Sequence, residues 1–288
     1  MRAAIALSIS LLAAPLVVAP ALAACPSDEA MDALASAVLD KTPARLSEAP
    51  STMEDALCAQ DKLVERLMPE WGEPVGYKVG LTSQPAQERF GADGPVRGRL
   101  LRTMLRNNNA TIPADFAARP LVEADMLVTV RSIGINTATT PAEVLKHIES
   151  VQPFIELADL VLAEGQPLDA ETITAINVGA RLGVRGRKVP VEATPEFEAA
   201  LADMTVRMMV GPAGEEPTEE MLAVPGRAVL GHPLEAVLWL MNDGVKLDAG
   251  DVISLGSFGA PMPAQGGQVV RVVYEGLPND PDVNVTLE

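Results

Sequence analysis

The chain has 288 residues, with 22 Lys and Arg against 39 Asp and Glu, for a formal charge of −17. That excess of carboxylates argues against a nucleic-acid binder, whose affinity rests on basic contacts to phosphate, and disfavours an anionic membrane surface. Hydrophobic residues make up 48% and aromatics 3%, so the chain can bury a sizeable core, but the core must be aliphatic.

Residues 1–23 read as a targeting segment. Arg2 is the only charge before an apolar run, and Ala21-Leu22-Ala23 has the A-x-A form of a cleavage signal. Pro15 and Pro20 interrupt the run, which disfavours a retained membrane helix. The segment predicts an exported protein, periplasmic in a bacterium. Only two cysteines occur. In an oxidising compartment Cys25 and Cys58 can form a disulfide. Cys25 also follows small residues in the manner of a lipoprotein, which would anchor the chain to the membrane through a lipid. The two readings exclude each other. Neither Cys has a His near it in sequence, so a catalytic thiol is not expected.

Residues 27–68 look helical, with Ser51-Thr52-Met53-Glu54 as a capping box ahead of Met53, Leu57, Val64 and Leu67. From Tyr77 the texture changes to short β-like runs broken by Gly and Pro. Strands are predicted over 75–79, 121–130, 153–162, 173–184, 203–210, 251–256 and 268–275. A helix from Pro141 to about Val151 is opened by Thr140 and Glu143, and another begins near Pro233. Gly211–Glu215 marks a tight turn. The pattern is α+β rather than a regular alternation of strand and helix.

The strand over 121–130 carries the most chemistry. Successive side chains on a strand point to opposite faces, so Val122, Ala124, Met126, Val128 and Val130 make one apolar face. Glu123 and Asp125 share the other, about 7 Å apart by strand rise. Framed by Leu121 and Leu127, two like charges that close call for a cation or a basic partner, or else for full solvation. An all-oxygen set suits Mg²⁺ or Mn²⁺. On the predicted strand from Phe154 to Leu160, Glu156 shares a face with apolar neighbours, where an unpaired charge is costly. The alternative to a metal role is an ion pair with Lys78 or an Arg. Lys78 lies in a Gly-flanked apolar segment, and carboxylates nearby would stabilise its charge.

Several segments in order resemble one family. Gly76-Tyr77-Lys78-Val79-Gly80-Leu81-Thr82-Ser83 is similar to "GxKxGLTS" of the 2-keto-4-pentenoate hydratases, with Gln87 and Phe90-Gly91 following at the spacing of "Q…LG". Glu123-Ala124-Asp125 resembles "EAE", and Pro153-Phe154-Ile155-Glu156 resembles "PALE". The run from Leu230 to Leu240 resembles "LGHPLNAxxWLA", and Leu247–Ile253 resembles "LKAGDxI". The match covers residues 50–276. These hydratases, with 4-oxalocrotonate decarboxylase as a relative, belong to the fumarylacetoacetate hydrolase superfamily. The resemblance implies a mixed β-roll with flanking helices over 76–288, preceded by a helical cap over 24–75. It implies Glu123, Asp125 and Glu156 as ligands of Mg²⁺ or Mn²⁺, Lys78 at the active site, and Gln87 and Asn177 in contact with substrate. It also implies possible assembly into a homo-oligomer.

Some positions depart from the family pattern. Ile176 and Gly179 stand where family hydratases have Asp and Ser, Pro95-Val96-Arg97-Gly98 replaces "PDFG", and Leu255-Gly256 replaces "TG". Asp125 is one methylene shorter than the family Glu. His147, inside a predicted helix, and His232, at a helix start, are expected to be structural. The resemblance therefore implies a metal-dependent lyase of small unsaturated 2-oxo acids, of hydratase type, with a thinned set of proton-transfer groups. A decarboxylase tolerates that loss better, and a non-catalytic binding protein is the rival class. Hydrolysis of a C–C bond through a histidine-activated water is disfavoured, because no His precedes His147.

Overall fold

The computed structural model describes residues 25–288, and the leader read over 1–23 lies outside the described residues. Among the described residues no helix is long and apolar enough to cross a membrane. The N-terminal part is two helices, α1 (Asp28–Leu39) and α2 (Met53–Trp71). Ser27 caps α1 by accepting from the Ala30 N–H, and Thr52 caps α2 by accepting from the Asp55 N–H. The α2 cap thus lies one residue beyond the Ser51 that the capping-box spelling suggested. Met31, Leu34, Ala35 and Val38 of α1 share a core with Ala59, Leu63, Val64 and Leu67 of α2, as the three- and four-residue spacing requires.

A disulfide joins Cys25 to Cys58 with 5.6 Å between their Cα atoms, stapling residue 25 to α2. The cysteines are 33 positions apart. Closing a loop of that length stabilises the fold by about 2–4 kcal/mol. Reduction with dithiothreitol should lower the urea midpoint accordingly, and an unmoved midpoint would show that the staple is idle. Arg181 ties the helical pair to the rest of the molecule. Its guanidinium donates to Val38 O (2.6 Å) and Phe116 O, pairs with Asp159 at 3.4 Å, and lies 5.4 Å from the Trp71 ring centroid.

The chain then runs through β1 (Pro74–Gly80), α3 (Gln84–Phe90), β2 (Val96–Leu101), β3 (Leu105–Asn107), β4 (Ala110–Ile112) and the long β5 (Pro120–Val130). After α4 (Pro141–Leu145) come β6 (Ile148–Asp159), α5 (Ala170–Ala175), β7 (Leu182–Arg185), β8 (Val189–Pro190) and α6 (Pro195–Asp203). The last elements are β9 (Thr205–Pro212), β10 (Glu219–Pro225), α7 (Glu235–Asn242), β11 (Val252–Ser254), β12 (Met262–Pro263), β13 (Gln268–Glu275) and β14 (Asp282–Leu287). They form two mixed sheets. The larger runs β2-β1-β11-β5-β6-β7-β3, with β12 added to β5 and β8 to β6, and the smaller runs β10-β9-β13-β14-β4.

This is the expected α+β roll with flanking helices. The alternation read over 121–130 decides how its layers meet. Val122, Ala124, Met126, Val128 and Val130 are buried in one core with Met208, Val270, Val272 and Val285 of the smaller sheet. Glu123 and Asp125 are thereby left on the opposite face.

Three expectations need correction. Residues 173–184 are not a strand: α5 ends at Ala175, a turn follows over Asn177–Gly179, and β7 begins at Leu182. Asp169 and Thr172 cap each other and nucleate a helix in residues whose β-branched side chains suggest a strand. The helix from Pro141 stops at Leu145, and β6 begins at Ile148, so the strand takes residues assigned to the helix. The helix expected at Pro233 begins at Glu235.

Candidate active site

Sheet register collects the charged residues. Lys78 on β1 is the register partner of Ser254 on β11, and Ser254 is the partner of Leu127 on β5. Glu123 on β5 lies directly opposite Glu156 on β6. Register partners share a face, so Lys78, Ser254, Asp125, Glu123 and Glu156 stand together on the face turned away from the smaller sheet. Gly76 makes the β1–β11 approach possible, because a Cβ there would strike the Val252 backbone. Lys78, Asp125 and Glu156 are 4%, 0% and 2% exposed, whereas Glu123 is half-buried and marks the open side.

The Lys78 ammonium is paired with a Glu156 carboxylate oxygen and donates to Val178 O at 2.7 Å. Val178 is a β-branched residue at φ 54°, in the left-handed region, between Asn177 at 57° and Gly179 at 66°. That unusual turn directs a carbonyl at Lys78. Asp125 is held just as firmly. Its Oδ2 accepts from Ser254 Oγ (2.5 Å), and its Oδ1 accepts from the N–H groups of Met126 (2.5 Å) and Gly256 (3.1 Å). Behind it, the Tyr274 hydroxyl of β13 donates to Asp125 O and accepts from the Phe154 N–H at 3.3 Å, standing within the β5–β6 ladder.

Burial pushes the Asp125 carboxyl up to about 6, against the bonds from Ser254 and Met126. Burial also raises Glu156; Lys78 opposes the shift, while the charges of Glu123 and Asp125 reinforce it. For Lys78, burial alone would lower the ammonium, but attraction to Glu156 and Glu123 outweighs it and holds the proton on.

The expected ligand triad is not standing as a ready-made cage. Among the described residues no three His, Cys, Asp or Glu side chains converge for a metal. Glu156 takes the ion pair with Lys78 that was its alternative, and Asp125 is turned to Ser254. The residues nevertheless fit a divalent cation. Three carboxylates face one ammonium, all the donors are oxygen, and Glu156 Oε2 is buried without a hydrogen-bond partner.

The two expected substrate contacts also make hydrogen bonds within the fold. Asn177 accepts from the Arg99 N–H (2.7 Å) and donates to Arg99 O (3.0 Å), pinning the left-handed turn to β2. Gln87 donates to Leu81 O at 2.9 Å, closing the loop after β1. The histidines serve turns, as expected: His147 Nδ1 shares a 2.8 Å hydrogen bond with Ser132 Oγ, and His232 Nδ1 accepts from the Leu234 N–H. Val96 and Leu255 are core residues. Ser254 and Tyr274 were missed. Ser254 is the one hydroxyl within the short apolar β11, a signal that could have been read, whereas the place of Tyr274 depends on how the two sheets dock.

No family model matches the chain. It is 30% identical over 233 residues to a TodF product hydratase of Pseudomonas putida, a match covering 78% of this chain and 81% of that protein. It is 27% identical over 241 residues to a 2-keto-4-pentenoate hydratase of Dechloromonas aromatica, covering 82% and 88%. Its fold is similar to that of 4-oxalocrotonate decarboxylase from Pseudomonas putida G7, solved with magnesium and adipate, with a TM-score of 0.75 at 23% identity over 91% of this chain and 99% of that one. The segments quoted above, the β-roll and these likenesses converge, and the chain belongs to the 2-keto-4-pentenoate hydratase and 4-oxalocrotonate decarboxylase family of the fumarylacetoacetate hydrolase superfamily.

Proposed function

We propose that the protein is a divalent-metal-dependent hydro-lyase adding water to a 2-hydroxypenta-2,4-dienoate-like acid. The buried Glu156 Oε2, unpartnered opposite Glu123 and beside Asp125, carries the reading. Those three carboxylates would hold Mg²⁺ or Mn²⁺. When bound, such an ion supplies Lewis-acid polarisation of a 2-oxo acid. Lys78 does the rest of the charge work: its ammonium, oriented by Glu156 and Val178 O, can pair with a substrate carboxylate or hold a proton beside the reacting carbons. Near-complete burial of Lys78, Asp125 and Glu156 keeps bulk water away from that proton.

Decarboxylation is the second reading. The replacements at Val96, Gly179 and Leu255 leave few groups for moving protons, and loss of CO₂ makes fewer demands on them. A binding protein that keeps the fold without turnover is the third. Export and a periplasmic location are part of the proposal. The disulfide suits an oxidising compartment, and a disulfide-bonded Cys25 has no thiol left to carry a lipid.

The test is the loss of dienol absorbance from 2-hydroxypenta-2,4-dienoate with and without Mg²⁺. Metal-dependent loss in the wild type, abolished in Glu156→Ala, supports the hydratase. Turnover of an oxalocrotonate-type acid alone replaces it with the decarboxylase.

The raised carboxyls set a pH dependence. A metal must displace protons from them, so affinity should fall as pH drops, with Asp125 alone contributing about tenfold per unit below 6 and the raised Glu156 adding to the loss. Without metal the sign reverses. Asp125 binds its proton more tightly folded than at its ordinary 3.8, so its contribution to stability is complete below 3.8 and is lost as pH rises through about 6. Calorimetric titration and urea midpoints between pH 4 and 8 check both slopes.

A further inference from the structure

The carboxylate cluster lies between an apolar plug and an open end. Along β5 the site face carries Leu127, then Asp125, then Glu123, passing from buried to half-buried. Leu127 forms a small core of its own with Leu100 and Phe154, separate from the main core. Phe154 is the register partner of Asp125 on one side and of Arg185 on the other, and Glu156 is the partner of Gly183. Its ring therefore stands on the same face as the carboxylates, two residues from Glu156, and it is 1% exposed. It leans onto Gly183 so closely that a Cβ there would overlap the tip of the ring, 2.0 Å from its Cζ. Gly183 thus provides the berth that lets an aromatic ring stand beside Glu156. The family segment to which 153–156 was matched reads alanine at this place.

We infer that Phe154 is a specificity-determining residue: its ring, seated on Gly183, closes the β7 side of the site and restricts the ligand to 2-oxo acids with a short carbon tail. The inference rests on the proposed 2-oxo acid reading. With its carboxylate toward Lys78 on the β1 side, a ligand over Glu123, Asp125 and Glu156 turns its tail toward β7 and meets the ring there. Excluding even one methylene from an apolar wall discriminates by about tenfold or more.

The experiment measures thermal stabilisation of the full chain in Mg²⁺ by pyruvate, 2-oxobutanoate, 2-oxopentanoate and 2-oxohexanoate, for the wild type and for Phe154→Ala and Phe154→Leu. The wild type should respond through the five-carbon acid and lose the response at 2-oxohexanoate. Phe154→Ala should gain about tenfold or more in apparent affinity for 2-oxohexanoate relative to pyruvate. Phe154→Leu, which keeps the plug filled with an aliphatic side chain, should shift the same ratio less and decides the question if the alanine variant does not fold. Wild-type binding with an unchanged length profile in the variants overturns the wall and leaves the 2-oxo acid reading standing. No response of any protein to any of the four acids overturns both.

Discussion

Replacing Lys78 with methionine should destabilise the metal-free protein by about 3–5 kcal/mol, the range for removing one partner of a buried ion pair. The size follows from the arrangement. Lys78 is the cation set among Glu156, Glu123 and Asp125, and its ammonium also satisfies Val178 O in the left-handed turn. Methionine fills similar space, so the loss is electrostatic and is not confused with a cavity. Without the ammonium the carboxylates repel one another in a buried place, and one or more must take up protons. Added Mg²⁺ should act in the opposite sense, restoring more stability to the variant than to the wild type, because the ion no longer competes with an ammonium. Urea denaturation of both proteins without metal and with metal at about 100 times its dissociation constant gives the comparison. A variant as stable as the wild type without metal would mean that the carboxylates are already neutral.

Tyr274→Phe should cost about 2–5 kcal/mol although it removes a single oxygen. The hydroxyl bridges Asp125 O and the Phe154 N–H, and both would lose their partner in a buried ladder at about 1–3 kcal/mol each. Partial closure of the strands recovers some of that cost but shifts the backbone of Asp125. Metal affinity should therefore fall together with stability, a link that a purely structural tyrosine would not produce. Burial raises the Tyr274 phenol well above its usual range, so the hydroxyl stays protonated and remains a donor to Asp125 O at ordinary pH. Chemical denaturation and a metal titration of the same variant test the two parts. Loss of stability with unchanged metal binding would confine Tyr274 to the fold.

What could be read in advance follows the range of the interactions involved. The alternation over 121–130 fixed which side of β5 meets the core, and the caps at Thr52 and Thr140 marked helix starts within a residue, because these are local effects. Residues 173–184 misled because a reciprocal cap at Asp169 and Thr172 outweighed the β-branched texture that follows. The family resemblance of its segment places Asn177 at the substrate, and the contact its amide makes with the Arg99 backbone depends on the position of β2, which is not a local feature. The pairing of Lys78 with Glu156 was one of two readings. Choosing between them required knowing that β11 lies between β1 and β5, which no local pattern carries. Tyr274, 149 positions from Asp125, is the extreme case.

Isothermal titration of Mn²⁺ into the wild type and Glu156→Gln tests most directly whether Glu123, Asp125 and Glu156 hold a divalent cation. The amide keeps the shape of the buried side chain while removing its charge, but it also leaves Lys78 without its partner. A urea midpoint of the variant therefore accompanies the titration to separate folding from binding. The expected result is saturable binding to the wild type, weakening below pH 6, and loss of that binding in the variant. No saturable binding to the wild type, or equal binding by both proteins, would contradict it.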